Sequence, residues 1–146
     1  MSEPEDRLYP ARPIVAASVA LVRDGRVLIA RRARAPLVGV YAFPGGGVEL
    51  GETLRQAAAR ELHEETGLEA EDLAFLDHVE PIARDGERVR AHYVIAAFVA
   101  RWRGGEPRPG PELDAFAWVD ADEVSQFRTT PELPRLVRLA IERATA

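Results

Sequence analysis

The chain has 146 residues, of which 47% are apolar and 29% charged, with a formal net charge of −5. That balance suits one globular domain with one core, and it argues against duplex nucleic acid as a partner, because phosphate backbones reward a basic footprint. There are no cysteines, so disulfides and thiolate chemistry are excluded.

Residues 1–13 are polar, carry three prolines and contain Glu3, Glu5 and Asp6 in place of the basic start of a signal peptide. They are expected to form a flexible N-terminal arm ahead of a single domain at 14–146. Residues 14–22 are a continuous apolar run that reads as a buried strand, too short to span a bilayer. A cytoplasmic location and no membrane partner are the expectation. Asp24-Gly25 separates this run from a second strand at 26–32, and an Asp-Gly pair between apolar runs predicts a hairpin. Residues 33–51 hold seven Gly or Pro and read as a long loop with a short strand at 41–43.

A helix is predicted at 54–66, with Thr53 as N-cap, Gln56 completing a capping box and Gly67 as the left-handed residue past the end. Residues 73–79 and 89–101 read as strands, with Asp85-Gly86 as the turn between them. A glycine- and proline-rich loop follows at 104–111, then a short strand at 116–119 and a helical turn at 122–127. A second helix at 131–144 has Leu133, Leu136, Val137, Leu139, Ala140 and Ile141 for its buried side. The order predicts an α/β fold with a mixed sheet between helices.

On the wheel of the first helix, Leu54, Ala58 and Leu62 fall within about 80° and mark an apolar stripe. Thr66, His63, Arg60 and their neighbours take the opposite, solvent arc. Glu64, Glu61 and Glu65 share one arc at about 280°, 340° and 20°, and two of them overlap the sector that should face the core. A solvated acidic face would lie opposite the stripe, and like charges three and four residues apart repel. A hard divalent cation removes that cost, and Mg²⁺ favours carboxylate, phosphate and water oxygens. The glycines at 45–47, just ahead of this helix, let the backbone come close to a ligand.

These residues carry a resemblance. Gly46, five residues to Glu52, and seven more to Arg60-Glu61-Leu62-His63-Glu64-Glu65-Thr66-Gly67-Leu68 match every fixed position of the Nudix box, G-x5-E-x7-R-E-U-x-E-E-x-G-U, with U a bulky aliphatic. The preceding Phe43-Pro44-Gly45 is also similar to the family. The resemblance implies a Nudix α/β/α sandwich and hydrolysis of a nucleoside diphosphate linked to another group, X. It implies that Glu61, Glu64 and Glu65 bind Mg²⁺, with Mn²⁺ as a substitute, joined by the Gly45 carbonyl. Arg60 resembles the arginine that orients the glutamates, and Glu52 the glutamate that pairs with that arginine or supports the metal shell; Gly46 and Gly67 are motif support. The general base in the family is a box glutamate, here Glu61 or Glu64, or a glutamate of a later loop, here Glu112.

For the substrate, guanidinium matches phosphate geometry, so Arg31, Arg32 and Arg34 are candidates and Arg31 is the foremost. Tyr41 and Phe43 are candidate base-stacking residues, with core packing as the alternative. Tyr41 stands where many family members have tryptophan. The stretch 41–52 most resembles ADP-ribose pyrophosphatases, so a small nucleotide, ADP-ribose or a related nucleotide sugar, is the expected partner. The alternatives are an oxidised nucleoside triphosphate, a dinucleoside polyphosphate, and a non-catalytic nucleotide sensor, the last opposed by the intact box. Many family members are dimers, and a homodimer is compatible with the sequence.

Overall fold

The computed structural model describes residues 7–35 and 37–145. The elements run β1 (Ile14–Arg23), β2 (Arg26–Arg32), β3 (Tyr41–Ala42), β4 (Gly45–Gly47), α1 (Leu54–Thr66), β5 (Ala74–Val79), β6 (Ile82–Asp85), β7 (Arg88–Arg101), β8 (Leu113–Val119), a 3₁₀ turn (Glu123–Gln126) and α2 (Leu133–Thr145). The strands form one mixed sheet in the order β3-β2-β1-β7-β5, with β4 added to β1, β6 to β7 and β8 to β2. Only β1 and β7 run parallel among these pairs.

The two helices cover opposite faces, which explains the unbroken apolar strands: a strand buried on both sides has no polar face. Along β1, Ala17, Val19 and Leu21 pack with Ala57, Ala58 and Leu62 of α1. The alternate residues Ala20 and Val22 pack with Leu133, Leu136, Val137 and Ala140 of α2. Each such fully buried Leu or Val contributes about 1.5–3 kcal/mol by leaving water.

The β1–β2 hairpin closes as predicted, with Asp24 at φ 49° and Gly25 at φ 75°. Its pairing is confined to the turn end, at Val22↔Val27 and Arg23↔Arg26. At the other end β4 pairs with β1 through Ala16↔Gly47, Ala17↔Gly46 and Ser18↔Gly45, and β3 pairs with β2. The glycine triplet is therefore a strand lying against β1, not the loop its composition predicts. A side chain at Gly45 would lie 2.4 Å from the Ala17 carbonyl oxygen, so only glycine permits this approach.

α1 matches its prediction to the residue. Thr53 accepts from the Gln56 amide, Gln56 accepts from the Thr53 amide, and Gly67 takes φ 80° while its amide bonds the His63 carbonyl. Its buried arc is rotated from the expected one: Leu54 is 39% exposed, whereas Thr66 is buried. The Thr66 hydroxyl donates to the Leu62 carbonyl and accepts from the Leu68 amide, which is how a polar residue is accommodated inside.

β6 was not foreseen, and the turn after it lies at Gly86-Glu87, one residue later than expected. Every residue of β6 is exposed, so it carries no burial pattern to read. β8 begins three residues before the predicted strand. Of the expected N-terminal arm, residues 1–6 lie outside the described residues. Tyr9 is tied to the β6–β7 hairpin by a 2.8 Å bond from its amide to the Arg90 carbonyl.

Candidate active site

The opening between β1 and β2 places β4 against α1, and the acids gather there. Glu61 is 1% exposed. The absence of a side chain at Gly46 makes its burial possible, since a Cβ there would lie 2.5 Å from the Glu61 carboxyl carbon. Glu65 is half-buried and accepts from the Gly45 amide at 2.9 Å. Gly45 thus meets the acids through its N–H. Glu64, one turn along, keeps 51% of its side chain exposed.

Arg60 links these groups. Its Nε and Nη2 donate to the two oxygens of Glu52 at 2.6 and 2.9 Å, a bidentate pair. Nη1 donates to Glu61 Oε1 at 3.0 Å and Glu64 Oε2 at 3.1 Å, and Nη2 also reaches the Gly47 carbonyl at 3.0 Å. Glu49 adds a further ion pair at 3.3 Å. Glu52 is held at a pKa of about 2, first by its hydrogen bonds from Arg60 and then by the Glu49 amide. Two neighbours in the cluster are pushed the other way. Burial, opposed by Arg60, raises Glu61 above the usual carboxylate range. Burial, then the charge of Glu61, raises Glu65 to about 8, and Glu112 adds to that rise while Arg32 opposes it.

Glu61 Oε2 is buried without a hydrogen-bond donor. An orphaned carboxylate oxygen beside a second desolvated carboxylate is costly, and a cation relieves both costs. The donors are all oxygen, the set a hard divalent ion such as Mg²⁺ takes. Among the described residues, no three acidic or imidazole groups stand gathered tightly enough to hold one ion, because Arg60 draws Glu64 and Glu61 to itself. The residues fit the ion by chemistry and burial, and Glu64 is the exposed one of the three.

Glu112 comes to the same end of the molecule. Its field is felt at Glu65, its carbonyl accepts from the Ala33 amide, and its carboxylate lies 3.6 Å from Arg34. Arg32 also acts on Glu65. The other substrate candidates are not brought to the acids. Phe43 is buried in the core on the α2 side, and Tyr41 packs against that core, edge-to-face on Phe127 at 4.9 Å. Arg31 follows Val27 and Ile29 on the same face by strand alternation and pairs with Asp114 at 2.7 Å. A shift of one residue along β2 separates the two arginines, which sequence alone does not orient. His63 is exposed, as its place on the wheel predicts.

Arg7 went unnoticed in the sequence. Its guanidinium lies over Gly47, where an added Cβ would be 2.6 Å from Nη2, and its charge acts on Glu61. No local pattern announces a contact so distant along the chain.

Comparison with known proteins supplies the context for this geometry. A family profile described as the NUDIX domain matches residues 12–140. A Mycobacterium tuberculosis protein carrying the provisional name 8-oxo-dGTP diphosphatase 2 is 43% identical over 114 residues, which is 77% of this chain and 77% of that protein. A Methanocaldococcus jannaschii ADP-ribose pyrophosphatase is 33% identical over 121 residues, covering 83% of this chain and 69% of its own length. The crystal structure of a MutT NUDIX hydrolase from Burkholderia pseudomallei superposes with a TM-score of 0.72 at 33% identity, over 90% of this chain and 97% of that one.

Proposed function

This chain belongs to the NUDIX family of hydrolases, and from that premise we propose that it cleaves a pyrophosphate bond in a small nucleoside diphosphate linked to a group X, in a reaction that requires Mg²⁺. The observation that carries the proposal is Glu61: a buried carboxylate with one oxygen orphaned, set beside Glu65 and held by Arg60.

In this reading Glu61, Glu64 and Glu65 hold the cation, with the Gly45 amide fixing Glu65, and Mn²⁺ substitutes. When bound, such a cation neutralises phosphate oxygens and lowers the pKa of a water. The chain's own groups do the rest. Glu52 fixes the Arg60 fork, and Arg60 in turn fixes the direction of Glu61 and Glu64. The water's proton passes to a carboxylate, Glu61 or Glu64, with Glu112 the rival from the facing loop.

For X, the reading from sequence is a sugar, as in ADP-ribose, supported by the 33% identical ADP-ribose pyrophosphatase. A second reading, an oxidised purine nucleoside triphosphate, is favoured by the 43% identical relative. A panel of ADP-ribose, a second nucleotide sugar, 8-oxo-dGTP and a dinucleoside polyphosphate separates them, assayed for product with Mg²⁺ and with chelator. Mg²⁺-dependent cleavage of one class is expected. Tight nucleotide binding with turnover of nothing would make the protein a sensor and end the proposal.

A further inference from the structure

Residues 7–9 have no task in the proposed reaction, yet Arg7 lies against the glycine strand of the candidate site. Tyr9 sits at φ 52°, a left-handed conformation that bulky residues rarely adopt and that persists only where surroundings enforce it. Three contacts enforce it. Its amide donates to the Arg90 carbonyl at 2.8 Å, its hydroxyl donates to Asp85 Oδ2 at 2.7 Å, and the Arg88 guanidinium lies 3.9 Å from its ring centroid. All three partners belong to the β6–β7 hairpin, whose β6 strand is exposed throughout.

The clip at Tyr9 has a geometric consequence two residues earlier. It lays Arg7 across the glycine strand, with Nη2 where a Gly47 side chain would be, on the same peptide whose carbonyl Arg60 holds. Arg7 is half-buried there, within electrostatic reach of Glu61. A pyrophosphate attacked by a water near Glu61 must lie close to this strand, and a planar guanidinium is the side chain best shaped to receive phosphate oxygens.

We propose that Arg7 is a substrate-contact residue that binds the pyrophosphate group, and that Tyr9, clipped to the β6–β7 hairpin, is its positioning residue. This rests on the proposed hydrolase reading for the identity of the substrate. It assigns residues 7–9 to the candidate site and gives the exposed β6 strand of the hairpin a purpose.

The test uses the full chain with Arg7→Ala, Arg7→Lys and Tyr9→Ala, assayed on ADP-ribose and on 8-oxo-dGTP. Loss of a charged hydrogen bond to substrate predicts KM raised about tenfold or more in Arg7→Ala, with kcat within about threefold. Arg7→Lys recovers part of that loss. Tyr9→Ala raises KM similarly, and adding it to Arg7→Ala changes nothing further. KM unchanged in Arg7→Ala overturns the proposal, as does a fall in kcat alone or a gain in Mg²⁺ affinity, since either would put Arg7's effect on the acids. A calorimetric titration with inorganic pyrophosphate in Mg²⁺ reads the contact without turnover. Weaker binding by Arg7→Ala supports it even if neither nucleotide is cleaved, a result that would sink only the hydrolase reading. Equal binding overturns it.

Discussion

The sheet has two faces covered by helices of equal length, and they obey different rules. α2 buries Leu133, Leu136, Val137 and Ala140, as an amphipathic helix should. α1 buries Ala57, Ala58 and Leu62, and with them Glu61 and Thr66. The α1 face gives up apolar area to hold a carboxylate whose pKa burial raises and whose second oxygen has no donor. The departure from the burial rule on the α1 face coincides with the candidate site.

The sharpest break of this contrast is a pair of substitutions, one on each face. Glu64→Gln removes a charge from an exposed side chain while nearly preserving its shape. We expect kcat to fall on the order of 10²-fold or more with thermal unfolding little changed; retained activity would remove Glu64 from the mechanism. Leu136→Ala should do the reverse, costing about 2–5 kcal/mol in denaturant unfolding while activity per folded molecule is kept. Arg60→Lys comes next. A lysine cannot make the bidentate pair with Glu52, so we expect a rate loss of about 10–100-fold, measured at saturating Mg²⁺.

The smallest effect is a pH dependence, and its sign follows from the site. Glu65 is raised to about 8, so the folded, chelated protein keeps a proton that the unfolded chain loses above its ordinary value. Stability therefore falls as pH rises from about 4.5 towards 8. Glu52, lowered to about 2, acts oppositely: its contribution is present above the ordinary carboxylate value and is lost as pH falls towards 2. Melting of the chelated protein from pH 5 to pH 8 should show the decline, and Glu65→Gln should flatten it. A slope unchanged in that variant would remove Glu65 as the cause.

Much of this was legible in the sequence where the signals are local. Thr53, Gln56 and Gly67 fix α1 through contacts within a turn of its ends, and Asp24-Gly25 fixes its hairpin by backbone conformation alone. The spacing of Glu61, Glu64 and Glu65 on that helix carried the family resemblance, and the fold sets Glu61 and Glu65 against Gly46 and Gly45. What was not legible depends on tertiary partners. β4 has no side chains to show a strand pattern, and β6 has no buried face. Leu54 and Thr66 exchanged their expected exposures because β1 and β4, not the helix's own periodicity, decide which arc is covered. Nothing in the sequence separates Arg31 from Arg32, and only the sheet shows that Arg32 acts on Glu65 while Arg31 pairs with Asp114. Arg7 meets Gly47, and Tyr9 meets the β6–β7 hairpin, through contacts remote in sequence that no local pattern announces.

We propose that Glu61, Glu64 and Glu65 form one cation site, and that the burial of Glu61 and Glu65 is costly until the ion binds. Thermal melting of the wild type and of a Glu61→Gln/Glu64→Gln/Glu65→Gln variant, titrated with Mg²⁺ at pH 8 from a chelated start, tests it without reference to activity. We predict that Mg²⁺ raises the wild-type Tm saturably and leaves the variant unmoved. An equal rise in both proteins, or none in the wild type, would contradict it.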